Sequence, residues 1–194
     1  MSAFIPLILG STRRNRQSLK VATYVHRLLS QYPAIETSIV DLEVLDLPIM
    51  EERLRFRDDP PPGLLDFSRL IARADSILIV TPEYNNGYPG VLKNALDYLL
   101  PEYERKPFGI CTVSAGGFGG INCLAQLRLV TLALGGFPIP ESLAVSKVQD
   151  SFDELGNPKS PAFEKRARDF LDELIWFTDA IRAKKAGEPQ TSAA

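Results

Sequence analysis

The sequence predicts an α/β domain built on one parallel β-sheet with helices on both faces. Five short segments rich in Ile, Leu and Val alternate with segments whose apolar residues recur at helical spacing. The first, third and fourth apolar segments are nearly continuous, as in strands buried on both faces. The chain has 194 residues, of which 45% are hydrophobic, and this is enough for one domain with a full core.

The predicted elements alternate along the chain. The strands are predicted at 3–9, 35–42, 76–81, 107–113 and 139–145, and the helices at 16–31, 64–74, 91–100, 120–134 and about 161–184. Right-handed crossovers favour a flavodoxin-like three-layer sandwich, in which the five parallel strands lie in the order 2-1-3-4-5. In that order the ligand crevice lies at the carboxyl ends of strands 1 and 3.

Two segments fall outside this alternation. Residues 43–63 form a long connection that ends in three prolines and a glycine, and we expect an irregular loop that rims the site. We expect a single domain over 1–185 and a disordered tail over 186–194, where polar and small residues predominate.

Composition excludes several classes of function. The net charge of -2 gives no electrostatic basis for binding nucleic acid or a membrane surface. No apolar run approaches the ~18 residues that span a bilayer, and the N-terminus lacks the pattern of a signal peptide. The spacing of Cys111 and Cys123 matches no zinc or redox pattern, so we expect reduced core thiols in a cytoplasm-like compartment.

Histidine chemistry is nearly absent from the chain. His26 is the single histidine and falls within the first predicted helix, where a surface position is the simpler interpretation. A multi-histidine metal site is excluded, and a Ser-His-Asp triad would have to use His26. We therefore predict no catalytic side chain and no metal, with a cofactor supplying the chemistry if the protein is an enzyme.

The loop after the first predicted strand, residues 10–18, has the chemistry of a phosphate site. It offers hydroxyls from Ser11 and Ser18, and its arginines include Arg13 and Arg16. Arginines beside a helix N-terminus oppose the helix dipole, which favours an anion between them. The loop matches neither the Walker nor the Gly-x-Gly-x-x-Gly pattern. The alternative is a solvated helix cap.

The loop after the third predicted strand, residues 82–90, contains polar residues interspersed with Gly and Pro. It contributes backbone donors, the amides of Asn85 and Asn86, and the ring of Tyr84. These groups suit a flat polar heterocycle, although the same residues also satisfy an ordinary turn and helix entry.

The loop after the fourth predicted strand, residues 114–120, has four glycines in five positions, which we call the glycine loop. Ordering glycine is costly, so such a cluster indicates close approach of a ligand to the backbone, and a flexible surface loop is the alternative.

In the predicted strand order the three loops converge at one crevice. A phosphate site at one end and a site for a flat ring at the other fit a mononucleotide with a large heterocycle, namely FMN.

These motifs resemble the NADPH-dependent FMN reductase family, which includes quinone, azo-dye and chromate reductases. The resemblance covers roughly residues 3–146, and the block from Pro82 to Asp97 is its most specific part. The matching positions are Gly10, Ser11, Thr12, Arg13, Arg16, Pro82, Glu83, Tyr84, Asn85, Gly87, Pro89, Gly90, Leu92, Lys93, Asn94, Ala95, Leu96, Asp97, Ser114 and Gly116.

The resemblance assigns roles to these loops. It implies that Ser11, Arg13 and Ser18 hold the FMN phosphate, with Arg16 or Gln17 assisting. The ring would be held largely through the backbone of residues 82–85, and its other edge would be lined by Ser114 and the glycine loop. The implied cofactor contacts are Ser11, Arg13, Arg16, Gln17, Ser18, Pro82, Glu83, Tyr84, Asn85, Ser114, Gly116, Gly117 and Gly119.

The resemblance also implies an activity and an assembly. Hydride would pass from NADPH or NADH through flavin N5 to a quinone, azo dye, flavin or metal oxyanion by a ping-pong mechanism. Family members are usually dimers or tetramers, so we expect a homodimer or homotetramer with the helix at 92–100 near the interface. The residues alone leave two alternatives: an FMN-binding electron carrier or redox-responsive regulatory module that acts through a protein partner, and a nucleotide-phosphate binding domain without redox chemistry.

Overall fold

A central parallel sheet organises the chain. The computed structural model describes residues 2–187. Its strands are β1 (Ala3–Phe4), β2 (Leu7–Leu9), β3 (Ile35–Glu36), β4 (Ile39–Asp41), β5 (Ile77–Pro82), β6 (Pro107–Val113), β7 (Phe137–Pro138) and β8 (Leu143–Val145). The order is β4-β2-β5-β6-β7, with β8 also paired to β6, and β1 pairs with β3. Every one of these pairs is parallel.

Three predicted strands differ from the observed ones: those at 3–9 and 35–42 are each divided in two, and the one at 139–145 is shortened to β8. The strand predicted at 3–9 is interrupted at Pro6, which has no N–H to donate, yet the Leu7 N–H still reaches the Ser38 carbonyl at 2.8 Å. The prediction of one strand over 139–145 is wrong in its first part. Pro140 cannot donate to the ladder, and pairing with β6 resumes only at Leu143.

Helices cover both faces of the sheet. They are α1 (Ser18–Leu29), α2 (Leu42–Leu45), α3 (Leu64–Arg73), α4 (Gly90–Asp97), α5 (Ile121–Ala133), α6 (Val148–Ser151) and α7 (Pro161–Ala186). Apolar residues of α1 and α7 form one core with the sheet, and those of α3, α4 and α5 form the other. The result is the three-layer α/β sandwich that the sequence predicts.

The connection 43–63 is more ordered than predicted. It includes the last three residues of α2 and a 3₁₀ turn, Leu54–Phe56. The side chain of Asn94 holds it against α4, because its Oδ1 accepts from the Met50 N–H at 2.8 Å and its Nδ2 donates to the Pro48 carbonyl at 2.7 Å.

The final helix runs slightly past its predicted end at about 184. It begins with Pro161, a favourable first helical residue, and ends at Ala186. The predicted disordered tail starts at 186, and its residues 188–194 lie outside the described part of the chain. Among residues 2–187, no helix combines the length and the apolar character needed to cross a bilayer.

Candidate functional site

A cavity of about 380 Å³ opens at the carboxyl edge of the sheet. Four segments supply its lining: the loops after β2, β5 and β6, and the segment after β8. The lining residues are Arg13, Arg14, Asn15, Arg16, Gln17, Ser18, Pro82, Glu83, Tyr84, Val113, Ser114, Ala115, Val148 and Gln149. The first three segments were predicted to converge. None of residues 43–63, which were expected to rim this site, lines the cavity.

Unpaired hydrogen-bond donors cluster at one end of the cavity, where α1 begins. The N-cap residue makes no side-chain capping bond. Within residues 2–187, no acceptor pairs with the backbone N–H groups of Thr12, Arg13, Arg14, Gln17 and Ser18. The exposed guanidinium groups of Arg13 and Arg14 likewise form no ion pair with this part of the chain. Free N–H groups at a helix start, beside two cations, favour an anion such as phosphate.

Two buried hydroxyls support the same end. Ser11 and Ser18 are almost completely buried, and their Oγ atoms lie 2.7 Å apart. One hydroxyl donates to the other, whose own proton is left for a further acceptor. Ser18 lines the cavity, whereas Ser11 lies behind it and contributes through this contact.

Arg16 lines the same end but is bound within the protein. Its guanidinium donates to Asp41 Oδ1 at 2.8 Å and to Asp41 Oδ2 at 2.5 Å, and it pairs with Glu43 at 2.7 Å. It also donates to the carbonyl of Ser11. Only 8% of the Arg16 side chain is exposed, so its environment differs from that of Arg13 and Arg14.

A tight turn forms the other end of the cavity. Tyr84 and Gly87 exchange backbone hydrogen bonds of 2.8 and 3.0 Å. Between them Asn85 and Asn86 have φ angles of 50° and 64°, in the left-handed region that asparagine tolerates better than most residues. Pro82, Glu83 and Tyr84 line the cavity, whereas Asn85 lies at the tip of the turn and does not.

The turn is fixed to the start of α5. The Glu83 carboxylate accepts from the Cys123 N–H at 2.9 Å, and the Asn86 carbonyl accepts from the Gln126 amide at 2.7 Å. Burial, aided by the Glu83 carboxylate, raises the pKa of the Cys123 thiol to about 12. The Glu83 side chain therefore caps a helix. The N–H groups of Glu83 and Tyr84 donate to the carbonyls of Val113 and Gly87, so the backbone of residues 82–84 offers a ligand chiefly carbonyl oxygens.

The glycine loop divides into an open half and a packed half. At Gly116 and Gly117 a Cβ atom would meet nothing within 4 Å. Gly119 has φ +66°, a Cβ there would lie 2.8 Å from that of Ala144, and its carbonyl accepts from Thr112. Packing against β8 accounts for Gly119 without a ligand, so its contact with the cofactor stays a prediction. Of this loop, Ser114 and Ala115 line the cavity, and the open glycines follow them.

The segment after β8 was missed by sequence reasoning. Val148 and Gln149 line the cavity, and the Gln149 amide donates to the Ala115 carbonyl at 3.3 Å. The Val148 N–H donates to Ser114, and the Lys147 N–H donates to Gly116. No motif marks this segment. The usable signal was topological, because the carboxyl end of a fifth parallel strand meets the same edge of the sheet.

Residues 5–150 match the family model described as NADPH-dependent FMN reductase. The chain belongs to this family. Membership makes it an oxidoreductase with FMN and NAD(P)H as cofactors.

Individual relatives agree in fold and length. An NAD(P)H-dependent FMN reductase of Saccharomyces cerevisiae is 31% identical over 166 residues, covering 72% of this chain and 86% of the relative. A quinone reductase of Pseudomonas putida is 32% identical over 178 residues, covering 88% and 90%. A flavoenzyme NAD(P)H:(acceptor) oxidoreductase from Paracoccus denitrificans superposes with a TM-score of 0.74 at 24% identity, covering 93% of this chain and 98% of that one, which shows a common fold.

The residues present fit FMN. Unpaired backbone donors and the cations Arg13 and Arg14 at one end match a phosphate dianion. The carbonyl groups of residues 82–84 and the open backbone at Gly116 and Gly117 suit the edges of a planar ring. The volume also falls in the range of ordinary ligand pockets, roughly 300–1,000 Å³.

Proposed function

We propose that the protein binds FMN in this cavity and reduces a small-molecule acceptor at the expense of NAD(P)H. The acceptor classes we propose are quinones, azo compounds, free flavins and metal oxyanions, by analogy with the quinone reductase of Pseudomonas putida and an FMN-dependent NADPH-azoreductase of Staphylococcus aureus. The observation that carries the proposal is the group of unpaired donors at the start of α1, which faces the same cavity as a rigid turn.

At the phosphate end, the N–H groups of loop 10–18 and the side chains of Arg13, Gln17 and Ser18 would hold the phosphate. Arg14 joins this set because it lines the cavity and has no ion pair with the described residues. Ser11 would act through its contact with Ser18.

At the ring end, the backbone of Pro82, Glu83 and Tyr84 would orient the isoalloxazine, with Asn85 shaping the turn. Ser114 and the open glycines Gly116 and Gly117 would face its other edge, and Gly119 would fix the glycine loop. The chemistry that FMN supplies when bound is hydride transfer at N5.

The protein's own contribution is orientation. Glu83 is committed to capping α5, and burial keeps Cys123 a neutral thiol, so neither side chain serves as a general acid or base at neutral pH. The nicotinamide and the acceptor would then use the same open side of the cavity in turn. This arrangement predicts ping-pong kinetics, with parallel lines when initial rates are plotted reciprocally at several acceptor concentrations.

The first experiment is a visible spectrum of the purified protein after FMN is added and excess is removed by desalting, followed by anaerobic NADPH. Retained flavin bands that bleach with NADPH, and turnover with a quinone, are the expected result. Bands that NADPH leaves unchanged would contradict the reductase proposal and favour an electron carrier or a regulatory module. A folded protein that retains no flavin, and for which added FMN does not support NADPH oxidation, would contradict FMN binding itself.

Arg13→Gln is a matched variant for this experiment. Removing one cation from the phosphate end should weaken FMN binding by about tenfold or more, as charge-assisted bonds to phosphate contribute roughly 1.5–3 kcal/mol. It should also reduce the salt dependence of FMN binding. Lys165→Gln is the control, since Lys165 forms an exposed surface pair with Asp169. It should leave the affinity for FMN and its salt dependence unchanged.

We also propose that copies of the chain associate as a homodimer or homotetramer in a cytoplasm-like compartment. Three outward-facing residues of α5, Ile121, Leu129 and Leu132, are each more than half exposed, which is unusual for large apolar side chains on one helix. By contrast, the outward Lys93 of α4 pairs with Asp97. Light scattering of the wild type and of Leu129→Lys tests this assembly, since a variant that assembles like the wild type would exclude the α5 face.

A further inference from the structure

Arg16 has a different environment from the other arginines of the cavity. Its guanidinium makes two bonds to Asp41 and one to Glu43, and a further bond to the carbonyl of Ser11. These contacts join loop 10–18 to the end of β4 and the first turn of α2. They account for the near-complete burial of a long cationic side chain beside an open cavity.

The two carboxylates of this cluster outweigh its single cation. One arginine faces two carboxylates, so Arg16, Asp41 and Glu43 together carry a formal charge of about -1. The cluster therefore brings no excess positive charge to the phosphate end, where Arg13 and Arg14 provide it. An Arg16 that bound phosphate directly would have to share its donors with both carboxylates.

Asp41 is itself held in place. It lies opposite Leu9 in the register of β2 and β4. Leu9 comes two residues before Ser11 in the sequence. Its carboxylate also accepts from the Glu43 N–H at 3.0 Å and so caps α2. The cluster is thus anchored on an element of the sheet.

The bond from Arg16 to the Ser11 carbonyl has a directional consequence. In a planar trans peptide the C=O and the following N–H point in opposite directions. Fixing the Ser11 carbonyl on Arg16 therefore fixes the Thr12 N–H on the opposite side, where no described residue accepts from it. One side chain thus controls the orientation of an unpaired donor in the loop.

We infer that Arg16 is a positioning residue: anchored by Asp41 and Glu43, it holds loop 10–18 in the conformation that presents its donors to the FMN phosphate and does not bind the phosphate itself. The inference rests on the proposed FMN binding. It differs from the role implied by sequence resemblance, in which Arg16 assists as a direct phosphate contact.

Asp41→Asn separates the two roles because they predict opposite signs. If Arg16 contacted the phosphate directly, removing a nearby negative charge would free the guanidinium and strengthen FMN binding. If Arg16 positions the loop, the same change loosens it and weakens FMN binding. We expect a dissociation constant for FMN about tenfold higher, measured by quenching of flavin fluorescence on titration with apo-protein.

Riboflavin is the matched ligand, because it has the same ring system and lacks the phosphate. We expect Asp41→Asn to change riboflavin binding by less than about twofold, so that the preference for FMN falls. Glu43→Gln should act in the same direction with a smaller effect, since Glu43 is half-exposed and its loss threatens the fold less. Thermal unfolding of each apo-protein verifies that the variants fold.

Stronger or unchanged FMN binding in both variants would overturn the inference. An equal loss for FMN and riboflavin would also overturn it, because it would indicate general damage to the site. Failure of the proposed function is recognised separately, since the folded wild type would then bind neither ligand.

Discussion

The two edges of the sheet differ in whether their charged groups and hydrogen-bond donors have partners within the protein. At the carboxyl edge, Arg13 and Arg14 and several N–H groups of loop 10–18 find no partner in the described chain. At the amino edge, Lys106 is almost completely buried, and its ammonium donates to the carbonyls of Ile71 and Ala72 at the end of α3. The amino edge satisfies an expensive buried cation internally, whereas the carboxyl edge leaves its donors for something outside the chain.

The comparison separates stability from binding. A lysine that bonds the last carbonyls of a helix supports the fold and needs no ligand. Unpaired donors at a helix start gain little for the fold and become favourable when an anion arrives. Substitutions at the two edges should therefore affect different measurements, and the following changes test that separation in order of expected size.

Gly119→Ala should have the largest effect on the free energy of unfolding. Although Gly119 lies at the binding edge of the sheet, its backbone conformation and its packing are required by the fold. Alanine at φ +66° is strained, and its Cβ would lie 2.8 Å from that of Ala144. We expect the free energy of unfolding of the apo-protein to fall by about 2–3 kcal/mol, measured by urea denaturation.

Gly117→Ala is the control for that change. The space around Gly117 is open and its φ is not positive, so the free energy of unfolding should stay within about 0.5 kcal/mol of the wild-type value. Equal losses in the two variants would contradict the division of this loop into open and packed halves.

Lys106 should give the amino edge a characteristic pH dependence. Burial lowers the pKa of its ammonium to about 8, against about 10.4 in an unfolded chain. Between these values the unfolded state binds more protons than the folded state, so this group makes the free energy of unfolding rise with pH. The rise should amount to about 2 kcal/mol from pH 8 to pH 10.

Lys106→Met should remove that rise. The measurement is the free energy of unfolding of both proteins at several pH values, and the difference between them isolates this group from the tyrosines. FMN affinity at pH 7.5 should not change, because Lys106 lies at the opposite edge from the cavity. If the free energies of unfolding of the wild type and of Lys106→Met changed in parallel from pH 8 to pH 10, burial would not lower the pKa of Lys106.

Sequence reasoning reached the fold because apolar runs and helical periodicity are local signals. The strand at 107–113 was placed at its observed bounds, whereas the strand at 139–145 was not, since Pro140 acts through the ladder and not through hydrophobicity. The same limit applies to the site. Loop chemistry identified residues 10–18, but the partners of Arg16 lie 25 and 27 positions away on β4 and α2, and only the folded chain brings them together.

The segment after β8 shows a related limit. Val148 and Gln149 have no distinctive composition, and their part in the cavity follows from hydrogen bonds to the glycine loop. Gly119 shows the converse limit, because packing against β8 accounts for a glycine that its residue type associates with ligand approach. Residue type alone therefore indicated which loops meet, and tertiary contacts decided what each residue does there.

Substitutions of Glu83 test whether the turn at residues 84–87 is held in place by the fold, through α5, rather than by a ligand. Glu83→Ala removes both the charge and the hydrogen bond at the start of α5, and should lower the free energy of unfolding by about 1 kcal/mol. Glu83→Gln keeps an acceptor for the Cys123 N–H and should lower it by about half as much. Hydrogen exchange of the Tyr84 and Gly87 amides should speed up in Glu83→Ala and stay unchanged in Arg13→Gln. Unchanged exchange in Glu83→Ala would mean that the turn is rigid on its own, through the left-handed Asn85 and Asn86, and that α5 adds stability without shaping the site.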